Sequence, residues 1–284
     1  MDALRKIADA VLYEGYILWP YRRSALKNAR RFTFGSLEPG DRMRTEVLVE
    51  GGSVEVTVRF LQEVRRQLYE RGEPVDELTV DGELHLSWDE ATERELSIAA
   101  PGRLPIAIAA GRVEERLSEE ASVVRSWGSL EGELTVEVEP LRPGLARVSA
   151  EISNGTPEDG TFLSTHTILR VRDGAFVSSL DPEAAEACRN EGTWPVLVGE
   201  PGERHTMLSS AIILEEYPRV APESHGDFFD GAEIDQLLTL NVLGLTDEEK
   251  AEMRATDPRA RQILERTEGL SHEEIMRLHG VLRR

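Results

Sequence analysis

The chain has 284 residues, 40% hydrophobic and 30% charged, enough for one large domain or two ordinary ones around a proper core. Its net charge of −20 excludes nucleic acid as the main partner, because phosphate binding draws on lysine and arginine. No apolar run approaches the roughly 20 residues of a membrane helix, and a single cysteine, Cys188, excludes an internal disulfide or a cysteine-built zinc or iron–sulfur cage.

The charge is unevenly spread. Residues 1–44 hold nine basic and five acidic residues, and the remainder holds 24 and 48. A basic head on an acidic body suits docking on itself, on a second copy, or on an acidic protein partner.

At the head, Leu4, Ile7, Val11 and Leu12 recur at helical spacing and predict a short amphipathic helix ending near Gly15. Asp2 and Asp9 precede its apolar patch and no small-residue cleavage site follows, so the layout is not secretory and a cytoplasmic location is expected. Next comes "YILWPYRRSALKNARRFTFG". Trp19, Tyr21, Arg22, Arg23, Lys27, Arg30 and Arg31 join large amphipathic rings to guanidinium groups, the composition of interface anchors. They are the candidate partner-binding residues of an N-terminal arm spanning 1–42.

From 43 to 217 the chain reads as strands. In "SVEVTVRFL", Val54, Val56, Val58 and Phe60 alternate with Glu55, Thr57 and Arg59, the period of a half-buried strand. Gly51-Gly52 before it predicts a hairpin turn. Residues 60–71 fit a strand or a helix. "GELHLSW", "GELTVEVEPL" and "ARVSAEISNGT" alternate likewise, and "FLSTHTILRVRDGAFVSS" predicts two strands about an Asp173-Gly174 turn. The alternation implies antiparallel sheet with one wet face, built as a sandwich or a strongly bent sheet. Cys188 falls in a short helix capped by Asp181 with Pro182 at its first position, and reads as a buried structural thiol.

Pro218 and Pro222 punctuate a linker over 218–229, and a helical region follows over 230–284. Asp230 with Glu233, Thr246 with Glu249, and Ser271 with Glu274 have capping-box spacing. Asp257-Pro258 opens a further helix that Gly269 ends. The fold class expected is α+β: an antiparallel β body with an N-terminal helical, basic arm and a C-terminal tail of short helices.

Motifs that would disclose a reaction are missing. No G-x-G-x-x-G follows a strand, and no Walker A loop, G-x-S-x-G elbow or H-E-x-x-H pair occurs. His85 and His166 fall in predicted strands, as surface or partly buried positions. His272 and His279 share a helix face, and His205 and His225 lie in irregular backbone. "ESHGDFFDGAEID" concentrates oxygen ligands at Glu223, Asp227, Asp230 and Glu233, without the order of an EF-hand. Helix initiation explains much of it: Asp230 caps, Glu233 answers, and an early Asp235 suits the helix dipole. No cofactor is expected.

Three stretches together carry a resemblance: "VLYEGYILWPYRRSALKNARRFTFG", "SSAIILEEYPRVAPES" and "GDFFDGAEIDQLLTLNVLGLTDEEKAEMRATDPRAR". They resemble a family of uncharacterised bacterial proteins associated with gene clusters for actinobacterial-type nickel–iron hydrogenases. In that pattern proline stands at the position of His225, which implies that this histidine is not a ligand. The resemblance implies an accessory, assembly or scaffold role in hydrogenase maturation or function, with hydrogenase subunits or maturation factors as partners. It carries no catalytic residue. The competing expectation is an enzyme or metal-handling protein that uses the carboxylates at 223–235.

Overall fold

The computed structural model describes residues 3–28, 33–219, 228 and 235–271. In chain order they form α1 (Ala3–Tyr13), β1 (Arg42–Glu70), β2 (Glu73–Val75), β3 (Glu77–Val80), β4 (Glu83–Leu86), β5 (Trp88–Ala99) and β6 (Gly102–Ile108). There follow β7 (Gly111–Arg116), β8 (Ala121–Trp127), β9 (Leu130–Arg142), β10 (Leu145–Asn154), β11 (Leu163–Phe176) and α2 (Pro182–Ala187). The last elements are β12 (Trp194–Leu197), β13 (Thr206–Ser210), α3 (Asp235–Leu243), α4 (Asp247–Thr256) and α5 (Pro258–Glu268). The class is α+β: one antiparallel sheet of 11 strands, a separate β3–β4 hairpin, and short helices mainly towards the two ends.

The spine is β1, 29 residues long. Straight, it would reach about 95 Å, against a radius of gyration of about 19 Å for a compact chain of this length, so it must coil. As it coils it changes partners. Residues 49 and 50 pair with both β10 and β11, which therefore lie on opposite edges. Residues 55–61 lie between β11 and β5, which puts β5 on the same edge as β10. Strand β6 follows directly from β5 yet pairs with β9, beyond β10. The sheet thus curls around its own inner face. Of residues 60–71, open between helix and strand by their spacing, 60–70 continue β1 as strand because β5, β8 and β2 pair with them, and Arg71 begins the turn that follows.

Two expected turns are corrected. Neither Gly51-Gly52 nor Asp173-Gly174 reverses the chain. Each lies within one continuous strand, and the two sites face each other across the β1–β11 ladder, Gly51 opposite Gly174. Gly51, Gly52 and Asp173 take positive φ (68°, 77° and 56°), so the local signal for left-handed backbone is real. Here it makes a paired kink in the ribbon. A Cβ on Gly52 would collide with the Arg172 carbonyl and the Gly174 amide, and one on Gly174 with the Gly51 carbonyl. The kink also inverts side-chain parity. Val47 and Val49 face inward before it and Val54, Val56, Val58 and Phe60 after it; on β11, Leu169 and Val171 face inward before it and Phe176 after it.

Those residues, with Ile106, Leu134, Val136, Val148, Ala150, Ile152 and Phe162, fill the inner core. Phe60 stacks on Phe162 at 4.5 Å between centroids. On the outer face, α1 lays Leu4, Ile7, Ala8 and Val11 against Ile168, Val196, Val198 and Leu208. The expected wet face is dry here: Thr57 and Arg59 of β1 are buried.

Helix termini follow their local chemistry. Thr246 and Glu249 form a reciprocal capping box on α4. Asp257 caps α5 with Pro258 at its first position, and Gly269 closes it. Asp181 caps α2 in the same way. The Asp230–Glu233 box falls outside the described residues, as does Glu274 of the Ser271–Glu274 box.

Candidate functional site

The arm folds back on the chain. After α1, Tyr16, Ile17 and Tyr21 pack with Phe228, Leu238, Val242, Met253, Ala260, Ile263 and Leu264 in one apolar cluster over Leu61 of β1. Tyr21 is wholly buried at φ 59° and donates from its hydroxyl to the Phe228 carbonyl at 2.8 Å. Its ring meets half-buried Trp19 edge-on at 5.9 Å. The Arg22 guanidinium lies 3.0 Å from Glu249 and 3.8 Å from Glu252. Arg23 reaches the carboxylate of Asp76 at 3.2 Å and its carbonyl at 2.7 Å. Lys27 is exposed on the short 3-10 turn Leu26–Asn28. Arg30 and Arg31 lie outside the described residues, as do Glu223, Asp227, Asp230 and Glu233.

The densest charged constellation among the described residues lies elsewhere, between α1, β5 and α5. At its centre is Arg59, wholly buried on the outer face of β1. One of its terminal nitrogens, Nη2, donates to Asp9 at 2.6 Å and to Glu93 at 3.3 Å, and its Nε faces Glu95 at 3.2 Å. Arg5 of α1 joins the same carboxylates, at 2.6 Å from Glu95 and 3.2 Å from Glu93. Tyr13 donates to Glu93 at 2.7 Å, and Arg259 pairs with Glu93 at 3.2 Å while its guanidinium stacks 3.4 Å over the Tyr13 ring. Tyr16 donates to Asp257 at 2.9 Å, the same side chain that caps α5.

Glu93 is therefore the hub. Burial pulls its pKa up, but the Tyr13 hydroxyl and the charges of Arg59, Arg259 and Arg5 outweigh it and hold the carboxyl below the usual range. It is an anionic acceptor, with no proton to give at neutral pH. Burial raises the Tyr13 pKa, against the pull of Arg259, so this hydroxyl stays a donor.

Two reactive residue types are held in unreactive forms. His166 sits opposite Arg59 on β11 and is fully buried, a correction to the surface or partly buried position expected of it. Burial, then the Arg59 charge, push its pKa down to about 3, so the ring is neutral. Its Nδ1 lies 3.1 Å from the Ser164 carbonyl, which places the proton on Nδ1 and leaves Nε2 a bare acceptor. Nε2, the other terminal nitrogen of Arg59 (Nη1) and Ser164 Oγ are buried without a hydrogen-bond partner. Cys188, the C-cap of α2, is half-buried, and burial followed by Glu46 pushes its thiol up to about 11. A thiol at that value is protonated and a poor nucleophile at neutral pH.

Three clefts stand out on the surface of the described residues. One of about 250 Å³ lies between β4, β8 and the α4–α5 junction and includes His85, Arg66 and Arg125. Both arginines are occupied. Arg66 pairs with Glu90 and donates to the carbonyls of Ala255 and Thr256, and Arg125 pairs with Glu90 and Glu115. The others, about 410 and 360 Å³, share Glu63, Thr161 and Leu163.

Sequence reasoning missed the Arg59 centre. The signal was faint: Arg5 and Asp9 one turn apart beside an apolar helical stripe, and an arginine alternating out of a strand. Nothing local says that these meet. Comparison with protein-family models, curated proteins and solved structures found no match.

Proposed function

We propose that this chain is a non-catalytic accessory or scaffold protein of the cytoplasm, acting in the assembly or maturation of a nickel–iron hydrogenase. One observation carries the non-catalytic part. Glu93 and the arginines around it are engaged with one another in holding α1 and α5 to the sheet, and the hub carboxylate is kept anionic. Cys188 and His166 are held thiol and neutral, as structural groups are. The hydrogenase part rests on the resemblance of the arm, the linker and the C-terminal stretch. The arm keeps an outward apolar residue in Leu26, 93% exposed beside Lys27, as a contact for a protein partner.

The test is affinity capture of the full chain from cells that express the hydrogenase, read by mass spectrometry. Hydrogenase subunits or their maturation factors should be enriched over an unrelated bait of equal acidity, and Leu26→Asp should reduce that enrichment. Equal recovery on both baits overturns the reading.

A further inference from the structure

Strand β7 is an edge strand. It pairs with β8 and, among the described residues, nothing pairs with its other edge. Residues 112–116 are all exposed. The strand before it, β6, pairs among the described residues only with β9, and its Pro105 has no N–H to offer a further strand. The two edges are therefore unlike: β6 is blunted, whereas β7 keeps its amides.

Which of these amides face outward follows from the turn after β7. The Leu117 amide donates to the Ala121 carbonyl, so the backbone of residue 117 faces β8. Strand backbone alternates, so 115 and 113 also face β8, while the N–H and C=O groups of Arg112, Glu114 and Arg116 point to the free side. The Arg71 amide bonding the Glu120 carbonyl fixes the same phase from the other side of β8.

We propose that β7 is a self-pairing edge, joining a second copy of this chain as an antiparallel strand about a two-fold axis at Val113. Side-chain charge selects the register. With Val113 opposite Val113 of the second copy, Arg112 faces Glu114 and Glu114 faces Arg112, and each such pair exchanges both backbone hydrogen bonds. A shift by two residues either way sets Arg112 against Arg112, or Arg112 against Arg116 with Glu114 against Glu114. Like charges directly opposite are unfavourable and opposite charges favourable. Val113, 55% exposed on an otherwise charged strand, then meets its own copy at the non-hydrogen-bonded position, where side chains approach most closely. Charged edges commonly deter strand addition; here a shift by four would pair Glu114 with Arg116 but set Glu115 against Glu115 where side chains approach most closely, so of these registers only the one centred on Val113 is free of opposed like charges. A two-fold contact of this kind closes on itself and does not propagate.

The test is sedimentation velocity of the full chain over a dilution series, with circular dichroism as the check on folding. The native chain should be a reversible dimer. Glu114→Lys and Arg112→Glu, each of which opposes like charges across the axis, should weaken self-association by about tenfold or more. The double variant R112E/E114K should regain it, because the pairs are restored with signs exchanged. A native chain that stays monomeric throughout, a dimer indifferent to Glu114→Lys, or a folded double variant that does not re-associate overturns the proposal.

Discussion

The two faces of β1 are buried by opposite means. Inward, Val54, Val56, Val58 and Phe60 meet hydrocarbon on every side. Outward, two residues from Thr57, Arg59 meets Asp9, Glu93 and Glu95 beneath a helix. The inner face gains from each methylene removed from water. The outer face gains only if every charge finds its partner, since an uncompensated buried ion is costly. One face tolerates changes of shape that keep volume, and the other tolerates none that alters the count of charges.

The sharpest contrast comes from adjacent residues. Phe60→Ala should lose about 3–5 kcal/mol by truncating a buried ring stacked on Phe162. Arg59→Leu should lose about 1–2 kcal/mol although it adds apolar volume, because Asp9, Glu93 and Glu95 lose the buried arginine they share, while Arg5 and Arg259 still pair with them at the partly exposed rim. Urea unfolding of both measures them, and a neutral Arg59→Leu would erase the distinction between the faces.

Acid should attack the outer face first. Unfolded, the His166 imidazole takes up a proton near 6.5; in the fold it resists until about 3. The unfolded chain thus binds more protons throughout that window. Stability is complete above about pH 6.5 and falls as pH drops towards 3, by up to about 1.4 kcal/mol per pH unit. Glu93, whose pKa is lowered, adds a loss in the same direction once its carboxyl protonates. Unfolding midpoints of the native chain and His166→Gln between pH 7 and 4 should converge at the acid end.

Smaller effects belong to the backbone that aims the faces. Gly52→Ala should cost at least about 1 kcal/mol, since it adds a Cβ at positive φ against the Arg172 carbonyl. Thr246→Ala, far from both faces, should cost about 1 kcal/mol by removing the α4 cap. Thermal melts order these two, and a Gly52→Ala loss below that of Thr246→Ala would mean that the kink can relax.

Much of the fold was legible because its causes are local. The stripe of α1, the caps of α2, α4 and α5, and the alternation of β1, β9 and β10 each lie within a few residues. The Gly51-Gly52 and Asp173-Gly174 sites were legible as backbone and misleading as topology. Positive φ is a local property, whereas reversing the chain or kinking a ladder depends on a strand more than 100 residues away. The Arg59 centre was illegible for the same reason, carried to charge: its members sit at positions 5, 9, 13, 59, 93, 95 and 259.

The facing kinks also bind the lengths of two distant segments together. Removing one residue near Gly51 would turn the rest of β1 inside out, placing Arg59 in hydrocarbon and Phe60 beneath α1, unless β11 shortened opposite it. Insertions and deletions at these two places should therefore be tolerated only as a pair, and related chains should carry both kinks or neither.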